Sequence, residues 1–274
     1  MNYKIGIDYG GTKIEGILIN DKGEEILRKR SGYEKNYESG VKTIKTLVEE
    51  FDKHTNSKSS VGVGIPGSSS KENGLIKNAN SIWLNGKPFK KDLEMSLDRE
   101  IKIMNDANCF ALSEAIDGSG ANYNTVWGVI IGSGFGGSFV HNKKVVEGVN
   151  QVAGDWGHQP LPYPSKEEWD LNLKCPVDNC GRPLCAEQFI SGIGFTNIFN
   201  RKYKTNFTTK EIVDLELNGD ERAKKEFDLY EDRFARLIAV MIGIVDPDVI
   251  ILGGGMSNIE RLYSNIPKLL PKYT

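Results

Sequence analysis

The sequence predicts an α/β protein built from two similar domains, with a metal-binding loop in the second. Three observations carry this expectation. Short apolar, β-rich runs alternate with stretches of helical spacing. A unit of strand, glycine-rich tight turn, strand and polar turn occurs twice, as KIGIDYGGTKIEGILINDKG near the start and as VWGVIIGSGFGGSFVHNKK about 120 residues later. A single repetition at that distance is one internal duplication; a solenoid would show a shorter period and more copies. Finally, Cys175, Cys180 and Cys185, three of the four cysteines, fall within eleven residues.

The elements follow in order. Lys4 to Asp8 alternates as a strand, Gly10-Gly11 breaks it, Lys13 to Ile19 is the second strand, Asn20 to Gly23 a turn, and Glu24 to Arg30 the third strand. Tyr37 to Phe51 is helical, because Val41, Ile44, Leu47, Val48 and Phe51 recur at three- and four-residue steps. Val61 to Ile65 is a buried strand ended by Pro66-Gly67, and Ile101 to Met104 is another, with a helix over Ala107 to Ile116. Asp117-Gly118-Ser119-Gly120 marks the domain boundary, so the domains read as 1–117 and 118–274. Thr125 to Ile131 and Ser138 to Val140 flank the glycines 132–137, and His141-Asn142-Lys143 turns the chain. A long helix over Ala223 to Val245 ends at Asp246-Pro247-Asp248. Val249 to Leu252 is a buried strand before Gly253-Gly254-Gly255, and Ser257 or Asn258 is the expected cap of a helix over Ile259 to Leu270.

Composition excludes several classes. With 39% hydrophobic residues and a net charge of −2, the chain is not disordered. Near-balanced charge, 35 basic against 37 acidic residues, gives no case for nucleic acid as a partner. The longest apolar run, Leu237 to Val245, has nine residues. A membrane span needs about 20, so no membrane segment is expected. No signal-peptide core precedes the first strand, which makes the cytoplasm the expected location.

Glycines between paired strands let consecutive N–H groups point at an anion. Gly10, Gly11, Thr12 and Lys13 therefore form a candidate phosphate loop, with Asp8 at the strand end as a candidate Mg²⁺ ligand. A plain hairpin explains the same residues. Gly132 to Gly137 matches G-x-G-x-x-G, yet β-like residues follow it, so it is no dinucleotide fingerprint. Gly132, Ser133 and Gly134, with Gly253, Gly254 and Gly255, could clamp a nucleotide, the last three leaving room for adenosine. Asp106 follows a buried strand, where it could take a proton from a substrate hydroxyl; it could equally be an N-cap. His158, Cys175, Cys180 and Cys185 suit a tetrahedral structural zinc, against free buried cysteines. Asp155 and Glu187, near these ligands in sequence, could meet a hydroxylated substrate or be solvated acids.

Taken together these motifs resemble the ROK family (repressors, open reading frames and kinases) of sugar kinases, within the actin/hexokinase-like ATPase superfamily of ribonuclease H-like fold. The resemblance covers essentially the whole chain. Its motifs are D-x-G-G-T-K at Asp8 to Lys13, G-I-P-G at Gly64 to Gly67, N-D-A-N at Asn105 to Asn108, the glycine loop Gly132 to Gly137, Gly154-Asp155-Trp156-Gly157-His158, Cys180 to Glu187, and Asp246 to Gly255. Lys77 to Gly86 looks most like the fructokinase/mannokinase branch. The resemblance implies an ATP-dependent hexose 6-kinase, with fructose or mannose expected and glucose or an N-acetylated hexosamine as the alternative. It implies Asp106 as general base, Asn105, Gly67, Asp155, His158 and Glu187 on the sugar, the two glycine hairpins on ATP with Mg²⁺, and structural Zn²⁺ on His158 and the three cysteines. Such kinases close two domains over a small-molecule hexose and often form homodimers. Three departures stand out. Asp155 replaces a glutamate. Cys175 is displaced from the usual C-x-C position at Asp178, and Leu184 in the same motif replaces a turn glycine. The chain is shorter than relatives, which continue with another strand and helix, so a non-catalytic sugar-binding remnant is a further alternative. The repressor branch needs a helix-turn-helix before the first strand, and Lys4 already begins that strand.

Overall fold

The computed structural model describes residues 2–171 and 180–274; Cys175 and Asp178 lie outside the described residues. The chain forms two compact units, Met1–Cys109 with Gly148–Gln151, and Phe110–Glu147 with Val152–Thr274.

In the first unit β1 (Lys4–Tyr9), β2 (Lys13–Ile19) and β3 (Glu25–Gly32) form an antiparallel meander. After α1 (Tyr37–Thr55) come β4 (Ser60–Ile65), the two-residue strands β5 (Ser68–Ser69) and β6 (Ile76–Lys77), α2 (Phe89–Leu97), β7 (Ile101–Asn105) and the first turn of α3 (Asp106–Ile116), whose residues from Phe110 onward belong to the second unit. The sheet runs β3-β2-β1-β4-β7, with β1, β4 and β7 mutually parallel. Alternation does its expected work: Ile5, Ile7 and Tyr9 turn inward from β1, and α1 lays Ile44, Leu47, Val48 and Phe51 against them. Each such side chain contributes about 1.5–3 kcal/mol when buried. Asn36 caps α1 through Ser39 N, and left-handed Asn56 ends it. Helix α2 was not expected, although Phe89, Leu93 and Leu97 after Pro88 carry its four-residue step.

In the second unit β8 (Thr125–Ile131), β9 (Phe135–His141) and β10 (Lys144–Val145) again make an antiparallel meander. Helices α4 (Lys166–Asp170), α5 (Glu187–Ile190), α6 (Gly192–Tyr203), α7 (Thr209–Leu217) and α8 (Glu221–Val245) lead to β11 (Val249–Gly253) and α9 (Glu260–Leu269). Strand β11 pairs parallel to β8, giving the order β10-β9-β8-β11. The duplication seen in sequence is therefore topological. In each sheet the first strand has an antiparallel hairpin partner on one side and a parallel strand on the other. Among the described residues no helix is long and apolar enough to cross a membrane, and the apolar run at Leu237 is the partly buried end of α8.

Two differences from expectation bear on the glycine turns. Strand β9 begins at Phe135 rather than Ser138, because Ile131 pairs with Phe135 and the turn shrinks to Gly132-Ser133-Gly134. Neither Ser257 nor Asn258 caps α9. Residues Gly255–Asn258 form a 3₁₀ turn, the Ser257 hydroxyl donates back to Gly254 O, and Ile259 occupies the cap position.

Candidate functional site

Because β1, β4 and β7 are parallel, their carboxyl ends lie along one edge of the first sheet, and Asp8, the turn Gly10 to Lys13, Gly67, Asn105 and Asp106 stand there. Asp8 pairs across the hairpin with Glu15. Burial raises the Asp8 pKa, the Glu15 charge adds to that, and Arg30 opposes it. The hairpin turn is closed by Gly10 N donating to Lys13 O at 3.1 Å and braced by the Tyr33 hydroxyl on Gly10 O at 2.9 Å. Behind it Tyr9 is 1% exposed and takes a hydrogen bond from Trp83 Nε1 at 3.0 Å. Gly11, Thr12 and Lys13 remain exposed. A rigid backing with a bare loop suits anion contact through backbone N–H groups.

Asp106 is the first residue of α3, and the capping role belongs to its neighbour. Asn105 Oδ1 accepts from Asn108 N at 3.2 Å, while Asn105 Nδ2 donates to Gly67 O at 3.1 Å. Gly67 has φ +104°, and a Cβ there would lie 2.7 Å from Lys77 O. Asp106 keeps part of its surface exposed, and its carboxylate accepts from Ala107 N at 2.8 Å. Desolvation by the surrounding protein raises its pKa; the Ala107 hydrogen bond works against this, and the Asp8 charge adds to it. A carboxylate made more basic at the carboxyl edge of a parallel sheet is suited to taking a proton. Beside it the Cys109 thiol is pushed up to about 11 by burial, Asp106 and Asp8, so it is not a nucleophile at neutral pH.

In the second unit the two glycine turns are neighbours. Gly254, at φ +83°, packs on Ile131 O and Gly132 N, and Gly192 N donates to Gly132 O at 2.8 Å. The amino end of α6, capped by Ser191 on Gly194 N at 3.0 Å, joins this cluster without having been foreseen. The three late glycines differ in use. Gly253 makes room for the Phe110 ring, which would lie 2.5 Å from a Cβ, whereas Gly255 has nothing within 4 Å.

The His158 loop is laced to the Cys185 segment by Glu187 N on Gly157 O, Ala186 N on Gln159 O and Leu161 N on Leu184 O, at 2.8–2.9 Å. This lacing brings His158 Nδ1 to 3.4 Å from Cys185 Sγ. The ligating atoms of His158, Cys180 and Cys185 all lie within 4.8 Å of one another. Ligand atoms around a tetrahedral zinc stand roughly 3–4 Å apart, so two thiolates and an imidazole here fit the ion. Leu184, in the family's glycine position, adopts φ +54°. That strain costs on the order of 1 kcal/mol and is offset by its buried side chain. Glu187 is buried and its Oε2 accepts from Phe135 N at 3.1 Å, whereas Asp155 is exposed. A Cβ on Gly157 would lie 1.9 Å from Phe135 O, backbone against backbone. Gly157→Ala is therefore expected to cost about 3 kcal/mol, read as a shifted denaturation midpoint.

Residues 4–274 match the ROK family. The chain belongs to that family. A Haemophilus influenzae (strain 86-028NP) relative named N-acetyl-D-glucosamine kinase is 38% identical over 271 residues, 98% of this chain and 89% of its own. The ROK hexokinase of Thermus thermophilus has the same fold, with a TM-score of 0.84 at 22% identity over 99% of this chain and 88% of its own. A ROK glucokinase from Streptomyces griseus, solved with glucose and AMPPNP, gives 0.80 at 22% identity over 99% and 89%. The two-domain hexokinase-like α/β fold is thus established. The fructokinase/mannokinase branch read from Lys77 to Gly86 is not supported by the curated relative. That stretch serves architecture: Asn85 clasps Ala79 through N and O at 2.8 and 3.0 Å, and Trp83 braces Tyr9.

Proposed function

We propose that this ROK protein is an ATP-dependent N-acetyl-D-glucosamine kinase that phosphorylates the sugar 6-hydroxyl, with Asp106 as general base. The observation that carries phosphoryl transfer is the position of Asp106: first in α3, relieved of capping by Asn105, with its pKa raised. The sugar is chosen by the relative at 38% identity rather than by the fructokinase-like motif.

In this reading Asp106 takes the proton of the attacking hydroxyl as that oxygen bonds to the γ-phosphorus and the bond to ADP breaks. The barrier falls mainly through positioning and charge neutralisation. Asn105, Gly67, Asp155, His158 and Glu187 are assigned to the sugar. Gly10 to Lys13 and Gly132 to Gly134 are assigned to phosphates, with Gly255 leaving space for the nucleoside. Asp8, its pKa raised beside a phosphate loop, suits the Mg²⁺ that accompanies ATP and neutralises phosphate charge. His158, Cys180 and Cys185, with Cys175 as the proposed fourth ligand, would hold a structural zinc that cross-links the loop.

The test is ADP release from Mg·ATP with N-acetylglucosamine, glucose, mannose and fructose offered separately. The acetamido sugar is expected to give a kcat/KM at least about tenfold above the others, a difference of about 1.4 kcal/mol. Preference for fructose would overturn the sugar assignment, and no turnover with any sugar would overturn the kinase.

A further inference from the structure

Beside the candidate metal loop lies a buried ion cluster that the chemistry above does not use. Glu168 on α4 and Arg233 and Arg236 on α8 are each about 5% exposed. Arg233 Nε lies 2.8 Å and Arg236 Nη2 2.7 Å from Glu168 Oε1. Arg236 Nη1 also donates to two consecutive carbonyls, Pro162 O at 2.7 Å and Tyr163 O at 2.8 Å. Tyr163 itself has φ +48°, a conformation that a non-glycine residue holds only when its surroundings impose it. The Arg233 guanidinium lies 5.4 Å above the Phe189 ring of α5. Arg236 Nε lies at ion-pair distance from Asp232, 3.2 Å, without a hydrogen bond, and Asp232 receives Lys272 at 3.3 Å and the Tyr273 hydroxyl.

A buried ion cluster is a poor source of stability, since apolar side chains of the same volume usually serve as well. The helix around this one is rich in Phe, Leu and Ile, so an apolar solution was at hand. What the ions supply is placement. Pro162 and Tyr163 end the segment that begins at Gly157 and His158, while Phe189 follows Glu187 by two residues. Helix α8 therefore grips both arms of the lacing that sets His158 against Cys185 and Glu187 against Phe135 N.

We infer that Glu168, Arg233 and Arg236 are positioning residues that hold the two arms of the His158–Cys185 lacing in register, and so set both zinc retention and sugar affinity. The sugar arm rests on the proposed kinase reading; the zinc arm does not. Outer partners of a metal site typically change metal affinity or activity 10–100-fold when removed.

The test uses zinc-loaded protein and the variants Glu168→Gln, Arg236→Met and Arg236→Lys. Zinc release to a chromogenic chelator should quicken about tenfold or more in the first two. KM for N-acetylglucosamine should rise about tenfold, with kcat and KM for MgATP within about twofold. Arg236→Lys keeps the charge but loses the fork that spans Pro162 O and Tyr163 O, so it should move both readouts in the same direction. It also carries the test if the other two do not fold. Folded variants with unchanged zinc release and unchanged sugar KM would overturn the inference. So would a parallel rise of both KM values with a lowered Tm, which marks a general loss of stability. Wild-type protein without sugar-dependent turnover would overturn the kinase reading alone, and zinc release would still decide the clamp.

Discussion

Asp106→Asn should lower kcat for sugar phosphorylation by about 10²–10⁴-fold, the usual contribution of a positioned general base. KM for MgATP should stay within about twofold, because the substitution keeps the shape of the side chain and leaves the glycine turns untouched. The hydrogen bond from Ala107 N to Oδ1 survives in the amide. The same variant should be more stable than wild type at neutral pH. The sign follows from linkage. Folding raises the Asp106 pKa, chiefly through desolvation, so the folded state favours the protonated carboxyl. Whatever stability that supplies is present below the ordinary aspartate value of 3.8 and is lost as pH climbs through the raised value. At pH 7 the wild type therefore carries an ionised carboxylate at a cost that asparagine does not. The difference in Tm should be largest at neutral pH and close as the pH falls toward 4. A variant that keeps more than a tenth of wild-type kcat would remove Asp106 from the base role. A variant equally stable at all pH values would remove the linkage argument.

Cys185→Ser should empty the metal site and loosen the loop. Cys185 is fully buried, with His158 Nδ1 at 3.4 Å, in the middle of the lacing that positions Glu187. Wild-type protein should carry about one zinc per chain by elemental analysis, and the variant close to none. Loss of a structural site would lower Tm by about 2–4 °C for each kcal/mol it contributes at this chain length. Cys109→Ala, in the first unit beside Gly64, should leave the zinc content unchanged. A zinc-free wild type whose Tm is indifferent to a strong chelator would reject the metal site.

Much of the fold was legible because local chemistry agreed with tertiary structure. The apolar steps of α1, the hairpin glycines and the Asp246-Pro247 stop of α8 each had one structural solution, and each appears within a turn of its expected position. Helices α4 and α7 were passed over, though Ser165 with Glu168 and Thr208 with Glu211 form capping boxes that can be read from sequence. For α6 the signal is weaker, since Gly192 and Gly194 interrupt the apolar pattern of its first turn, and α5 is only four residues long.

The sequence by itself determined the duplicated hairpins, the buried strands at Val61 and Val249, and the carboxylate after β7, because these depend on residue type and on neighbours a few positions away; that the buried strands pair parallel was left to the tertiary structure. Tertiary structure alone decided how ambiguous residues are used. Asn105 and Asp106 are both good N-caps; Asn105 takes the role because its amide also reaches Gly67 O. Gly253 could have opened space for a nucleoside, but the Phe110 ring fills that space. Arg233 and Arg236, charged residues on an otherwise apolar stretch of α8, are buried because Glu168, 65 residues before Arg233, folds back between them. A charge can leave water only where a partner waits, and no local pattern records where a distant partner will stand.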